Sequence, residues 1–225
     1  DLIKAVQATG KPVVAVLFNG RPLVINWVAE NVPAIVETWF SGEKGGLAIA
    51  DVLLGKVNPS GKLPVTFPRS VGQIPFYYYH KPSSKHNYVD LEQGPLFVFG
   101  HGLSYTTFEY SGMQISPEKM PVNGTATIKV SVKNTGNVEG TEVVQLYVRD
   151  EIGTVTTPVK ALKGFNRVTL QPGESKEISF NVGEEALWLW NREMKKVVEP
   201  GEFKIMIGSS SEDIRQQGKL EVSAK

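Results

Sequence analysis

Residues 39–75 read WFSGEKGGLAIADVLLGKVNPSGKLPVTFPRSVGQIP. This stretch is a helix–loop–strand unit, too small to be a complete domain. LAIADVLLG (47–55) has helical periodicity, and Gly55 supplies the left-handed stop. Asn58-Pro59-Ser60-Gly61 is a compact turn. LPVTFP (63–68) reads as a short strand hemmed by two prolines, which puts it at a sheet edge or margin.

Upstream, DLIKAVQAT (1–9) reads as the last turns of a helix with Leu2, Ile3 and Val6 on one face, stopped by Gly10 and Pro12. VVAVLF (13–18) is a continuous apolar run, as expected of a parallel strand covered on both faces. Asn19-Gly20 is a turn signal. A second helical pattern covers 23–31, with Leu23, Val24 and Trp27 on one side, and AIVETWF (34–40) is again strand-like. The alternation of helix and strand is that of an α/β layer. It offers only two good candidates for buried strands, whereas a doubly wound sheet needs several more. Alone, VVAVLF would expose apolar side chains and open backbone edges. Residues 1–70 therefore read as the C-terminal part of a larger α/β domain, with polypeptide upstream of Asp1 expected to cover the strand.

Residues 71–107 form a Pro- and Gly-rich connector carrying the aromatic cluster Phe76-Tyr77-Tyr78-Tyr79, which argues for a segment pinned to a surface. Its most polar part, SSKHNYVD (83–90), is the expected mobile tip. From 108 to 225 the reading is all-β. TATIKVSVKN (125–134) alternates, with Ala126, Ile128, Val130 and Val132 on one face. GTEVVQLYVRD (140–150), KALKGFNRVTL (160–170), SKEISFNV (175–182) and GEFKIMIGS (201–209) follow, separated by Gly-, Asn- and Pro-containing turns. About seven strands at this spacing signal an immunoglobulin-like or fibronectin type III-like sandwich, and the absence of a Cys…Trp…Cys pattern favours the latter.

Composition narrows the function classes. The 225 residues are 41% hydrophobic and 21% charged, within the globular range. Twenty-four Lys and Arg oppose 23 Asp and Glu, a net charge of +1 without a basic cluster, which argues against nucleic-acid binding. There is no run of about 18 apolar residues, so no membrane-spanning helix is expected. The absence of Cys excludes a disulfide framework, a thiolate nucleophile and a Cys-based metal site. Cytoplasmic, periplasmic and secreted locations all remain open.

The segments TGKPVVAVLFNGRPL, AIVETWFSGEKGGLAIADVLLG, NPSGKLPVTFPRSVGQIPFYYYHKP, FVFGHGLSYTTFEYSGMQIS, VSVKNTGNVEGTEVVQLYVRD and LKGFNRVTLQPGESKEISF run in the order found in family 3 glycoside hydrolases. The chain resembles the C-terminal part of these exo-acting β-glucosidases and β-xylosidases over nearly its whole length. The resemblance implies that residues 1–70 end an α/β sandwich domain and that a fibronectin type III-like domain follows. It implies a retaining, metal-free and cofactor-free hydrolysis of terminal β-glucosyl or β-xylosyl residues. The catalytic Asp and Glu would lie on polypeptide upstream of TGKPVVAVLFNG, so no catalytic residue is carried over. The expected partners are that upstream polypeptide and an oligosaccharide or glycoside substrate, and the sandwich is a candidate homodimer surface. A non-catalytic carbohydrate-binding or scaffold module is the alternative.

Retaining glycoside hydrolysis needs two carboxyl groups about 5–5.5 Å apart. Glu30, Glu37, Glu43 and Asp51 are the acids of the first segment. Glu43, just before Gly45-Gly46, is a candidate at the site rim; its structural role would be a charge stabilising the first turn of a helix. Glu37 and Asp51 read as structural partners, with Arg21 or Arg69 as counter-ion. Gly45-Gly46 reads as close backbone packing, since the P-loop spacing is missing. His80, His86 and His101 match no zinc spacing. His86 and Lys81 are candidate contacts to sugar hydroxyls. His101 is expected to pack in a tight turn, Tyr77, Tyr78, Tyr79 and Tyr88 to anchor the connector or stack on sugar, and Trp188 and Trp190 to share one face of a sandwich strand.

Overall fold

The computed structural model describes residues 1–82 and 89–224. Their contacts divide them into two compact units: residues 1–57, 65–76 and 89–97 in the first, and 58–64, 77–82 and 98–224 in the second.

The first unit has helix α1 (Leu2–Gln7), strand β1 (Val14–Leu17), helix α2 (Asn26–Asn31), strand β2 (Ala34–Glu37) and helix α3 (Gly45–Leu53). Gly10, at φ 71°, lets the chain reverse after α1, and Gly55, at the same φ, does so after α3. β1 and β2 pair in parallel, from Val14 opposite Ala34 to Leu17 opposite Glu37. They form a two-stranded sheet. Its core is small: Ala15, Val28 and Val32 are buried, with Ile3, Val13, Ile25, Trp27 and Ile35 packed around them. Gln73 is buried and closes a capping box with Ser70 at the single turn of 3₁₀ helix over Val71–Gln73.

Three local readings of this unit are corrected. α2 begins at Asn26 rather than at residue 23, because Ile25, at φ −128° and ψ 33°, lies outside helical geometry. β2 ends at Glu37 rather than 40, because Trp39 takes φ 51°, which an extended ladder does not allow. Residues 63–68 form no strand. Pro64 and Pro68 lack N–H donors, and Phe67 makes a single bridge to Phe97.

The second unit is a sandwich of two sheets. β3 (Phe108–Ser116), β5 (Ala126–Asn134) and β8 (Ser175–Val182) form one, in the order β3-β5-β8. β4 (Lys119–Pro121), β6 (Gly140–Asp150), β7 (Ala161–Leu170), β11 (Gly201–Gly208) and β12 (Ile214–Ser223) form the other, in the order β4-β12-β11-β6-β7. Period-two alternation aims Ala126, Ile128, Val130 and Val132 inward, where they meet Val144, Leu146 and Val148 of β6 and Ile205 and Ile207 of β11. Buried Asn134 ties the turns together. Its Nδ2 donates to the carbonyls of Val138 and Leu170, and its Oδ1 accepts from Thr106 Oγ1 at 2.6 Å.

Part of the connector is pinned to this sandwich. The Tyr78 ring stacks on Phe99 at 4.2 Å, and its hydroxyl accepts from the Leu162 N–H at 3.2 Å. Tyr77 and Tyr79 are exposed. His101 sits where expected in a tight turn: its N–H donates to Val98 O, and its carbonyl accepts from Leu63 N at 2.8 Å. The tryptophans differ from expectation. Trp188 follows the short helix α4 (Glu184–Leu187), and Trp190 ends strand β9 (Leu189–Trp190), which pairs only with β10 (Lys196–Val197). Their rings meet at 81°, with centroids 6.0 Å apart, so they do not share one face of a sandwich strand.

Candidate functional site

In open α/β sheets, ligands approach the carboxyl ends of the strands, where loops gather polar groups over the sheet. In the first unit these ends carry Phe18-Asn19-Gly20 after β1 and Thr38-Trp39-Phe40 after β2. Parallel pairing brings the two loops together although they are about 20 residues apart in sequence. Glu37 joins them: its Oε2 accepts from Asn19 Nδ2 at 3.1 Å and its Oε1 from Trp39 N at 3.0 Å. The second bond holds Trp39 in its left-handed conformation, a strained geometry for a bulky residue. Thr38 Oγ1 donates to Leu17 O at 2.8 Å. Asn19 Oδ1 is buried with no hydrogen-bond partner among the described residues. Phe40 is 81% exposed and lies over Gly20, where a Cβ would come within 2.6 Å of its ring.

Both Glu37 oxygens are engaged in fixing loops, so this side chain is an organiser of the rim. The counter-ions expected for Glu37 and Asp51 are not Arg21 or Arg69. Asp51 pairs with Lys56 at 3.6 Å, and Arg69 pairs with Glu92 at 2.9 Å. Arg69 also offers its backbone carbonyl to Asn26 Nδ2 and its N–H to Gln73 Oε1. Glu30 is exposed.

Glu43 is exposed on the loop before α3. The helix starts at Gly45 with Lys44 at its N-cap and no acidic residue in its first turn, so Glu43 does not play the first-turn role expected of it. Gly45 is buried against Ser41, whose side chain would collide with a Cβ there, in keeping with close backbone packing. Lys81 is exposed and belongs to the second unit, next to His80, whose Nδ1 lies 3.0 Å from Lys81 O. His86, Tyr88 and most of the polar tip lie outside the described residues. Among the described residues, no group of three His, Asp or Glu side chains is placed to hold a metal ion. No helix among them is long and apolar enough to cross a membrane.

Sequence reasoning took Asn19 only as a turn former. Its link to Glu37 runs across strands, and no local pattern announces it.

Residues 1–105 match the glycosyl hydrolase family 3 C-terminal domain, and residues 142–211 match the fibronectin type III-like domain. The chain belongs to glycosyl hydrolase family 3. It is similar to a beta-xylosidase of Formosa agariphila, with 51% identity over 94% of this chain and 30% of the relative. It is also similar to a periplasmic beta-glucosidase of Salmonella typhimurium, with 50% identity over 96% of this chain and 30% of the relative. Among solved structures it resembles a beta-glucosidase from Listeria innocua in complex with glucose, with a TM-score of 0.94 and 39% identity, covering 99% of this chain and 32% of that one. The chain thus spans about 30% of the length of the curated relatives it matches. It corresponds to the C-terminal part of a family 3 enzyme, and its fold is the family's C-terminal domain followed by a fibronectin type III-like sandwich.

Proposed function

We propose that this chain is the C-terminal part of a retaining exo-β-glycosidase that releases terminal β-D-glucosyl or β-D-xylosyl residues. The nucleophilic Asp and the acid/base Glu reside on polypeptide upstream. The observation that carries this reading is the apolar surface of the two-stranded sheet unit. Val14, Phe18, Phe40 and Leu47 are 45%, 61%, 81% and 68% exposed. A two-stranded parallel sheet is marginal by itself, and parallel strands are ordinarily covered on both faces. Each such side chain buried contributes roughly 1.5–3 kcal/mol, so covering this surface is worth much of a domain's stability.

In this reading residues 1–70 complete an α/β sandwich domain, 71–107 connect, and 108–225 brace the assembly. The loops held by Glu37 face the substrate cleft, with Glu43 at its rim, and Lys81 and His86 are contacts to sugar hydroxyls. The relatives' names, beta-xylosidase and beta-glucosidase, support both sugars.

Chromogenic β-glucoside and β-xyloside assays test the proposal. The chain alone is expected to release no chromophore, and the chain joined to its upstream polypeptide to turn over. Hydrolysis by the chain alone would overturn it.

A further inference from the structure

The sequence contains two Asn-Gly pairs, Asn19-Gly20 in the first unit and Asn123-Gly124 in the second. Asparagine is among the chemically labile residues, and most so before glycine, whose missing Cβ lets the next backbone nitrogen approach the side-chain amide. The two pairs share this chemistry and stand in opposite surroundings.

Asn123 lies in the turn from β4 to β5 and is exposed, as is Thr125 beyond it. The Gly124 N–H donates to Pro121 O at 2.8 Å, a single turn bond at the surface, where local opening is easy. Asn19 is held instead. Its Nδ2 donates to Glu37 Oε2 at 3.1 Å, and its Oδ1 is buried with no hydrogen-bond partner among the described residues. The Phe40 ring lies over Gly20.

We propose that Asn123 is a site of spontaneous deamidation and that the fold shields Asn19 from the same reaction. The Gly124 nitrogen gives its proton to solvent base and attacks Asn123 Cγ. A C–N bond forms, Oδ1 takes the negative charge, and the side-chain nitrogen leaves as ammonia with a proton from water. Water then opens the cyclic imide at either carbonyl, giving aspartate or isoaspartate. At Asn123 solvent stabilises the charge that develops on Oδ1. At Asn19 the same atom is buried, lacks a donor and has the Glu37 carboxylate close by, so the charged intermediate is penalised. Asn19 reacts only during the fraction of time that its surroundings open.

The isoaspartate product carries consequences for the sandwich. Its chain runs through the former side-chain carbonyl, which adds a backbone carbon between Val122 and Gly124. Val122 packs against the core, and its N–H donates to Ser223 O at 3.1 Å. A Cβ placed on Gly124 would already come within 3.0 Å of Met120 Cβ and Pro121 O, so the turn has little room to absorb the extra atom. Isoaspartate therefore strains the attachment of β4 to β12, whereas aspartate only adds a charge in water.

The test ages the folded chain in warm, mildly alkaline buffer beside a sample unfolded in urea, and follows both Asn-Gly peptides by mass spectrometry. In the folded chain Asn123 is expected to convert at least several-fold faster than Asn19, and in urea the two should convert at similar rates. Asn123→Gln, which closes the ring poorly, should leave that turn unconverted. The aged isoaspartate fraction should unfold at a lower temperature than fresh Asn123→Asp protein. The proposal is overturned if Asn123 stays intact in the folded chain while it converts in urea, or if Asn19 keeps pace with it in the folded chain. A difference that persists in urea overturns the shielding of Asn19 by the fold. Equal stability of the isoaspartate form and Asn123→Asp overturns the strain assigned to the turn.

Discussion

Lys62 Nζ lies 3.0 Å from Glu142 Oε1, with the two side chains only 14% and 7% exposed. The lysine comes from a loop and the glutamate from β6, so the pair fastens irregular chain to the sandwich. Lys62 also donates to Gly102 O at 3.1 Å, and Glu142 accepts the Val143 N–H. Removing one member leaves the other charge buried without its counter-ion. Lys62→Met is therefore expected to destabilise the second unit by about 3–5 kcal/mol, measured by urea unfolding. The double variant Lys62→Met/Glu142→Leu should recover much of that loss.

His101 gives this unit a pH dependence. Burial lowers its pKa below the ordinary 6.5, Lys62 adds to the lowering, and Asp213 opposes it. A histidine with a depressed folded pKa favours the fold in its neutral form. Its contribution is present above pH 6.5 and is lost as pH falls through the folded pKa. Thermal unfolding should therefore move to lower temperature on mild acidification, and His101→Asn should flatten that part of the profile. An identical slope in the variant would show that other groups carry it.

At the rim of the first unit, Glu37→Ala removes the acceptor of the Trp39 N–H and the partner of Asn19 Nδ2 together. Leaving part-buried donors unmet costs about 1–3 kcal/mol, and the left-handed Trp39 loses its restraint. Lower stability and altered Trp39 fluorescence are expected, with Glu37→Gln milder because it keeps an acceptor oxygen.

The exposed apolar side chains predict a solution behaviour. The chain alone should bind a hydrophobic dye and self-associate with rising concentration. Phe40→Ser with Leu47→Ser should reduce both effects while barely changing the chain's own unfolding, since both side chains are mostly in water already. If upstream polypeptide covers this surface, as proposed, the same pair destabilises the longer protein.

The sequence revealed the sandwich where side-chain period and burial coincide. Ala126, Ile128, Val130 and Val132 alternate in the text of the chain and are all buried. The parallel strand Val14–Leu17 was legible from its unbroken apolar run. Trp188 and Trp190 misled because a two-residue spacing also arises where a strand of only two residues follows a helical turn. Residues 63–68 misled because apolar content alone does not supply the donors that Pro64 and Pro68 lack. The strand Ile214–Ser223 carries a weak signal, with Gly218 at its centre and polar residues around it. The rim was the least legible part. Asn19, Glu37 and Trp39 meet through parallel pairing and a positive φ, neither of which is written in local composition.

The most direct test is amide hydrogen exchange at Val14–Leu17, the strand whose covering the account requires. In the chain alone these amides should exchange quickly, as in a marginal two-stranded sheet, and within the complete enzyme they should be protected by several orders of magnitude. Strong, equal protection in both would contradict the account, because it would mean that residues 1–225 already stabilise this strand without help.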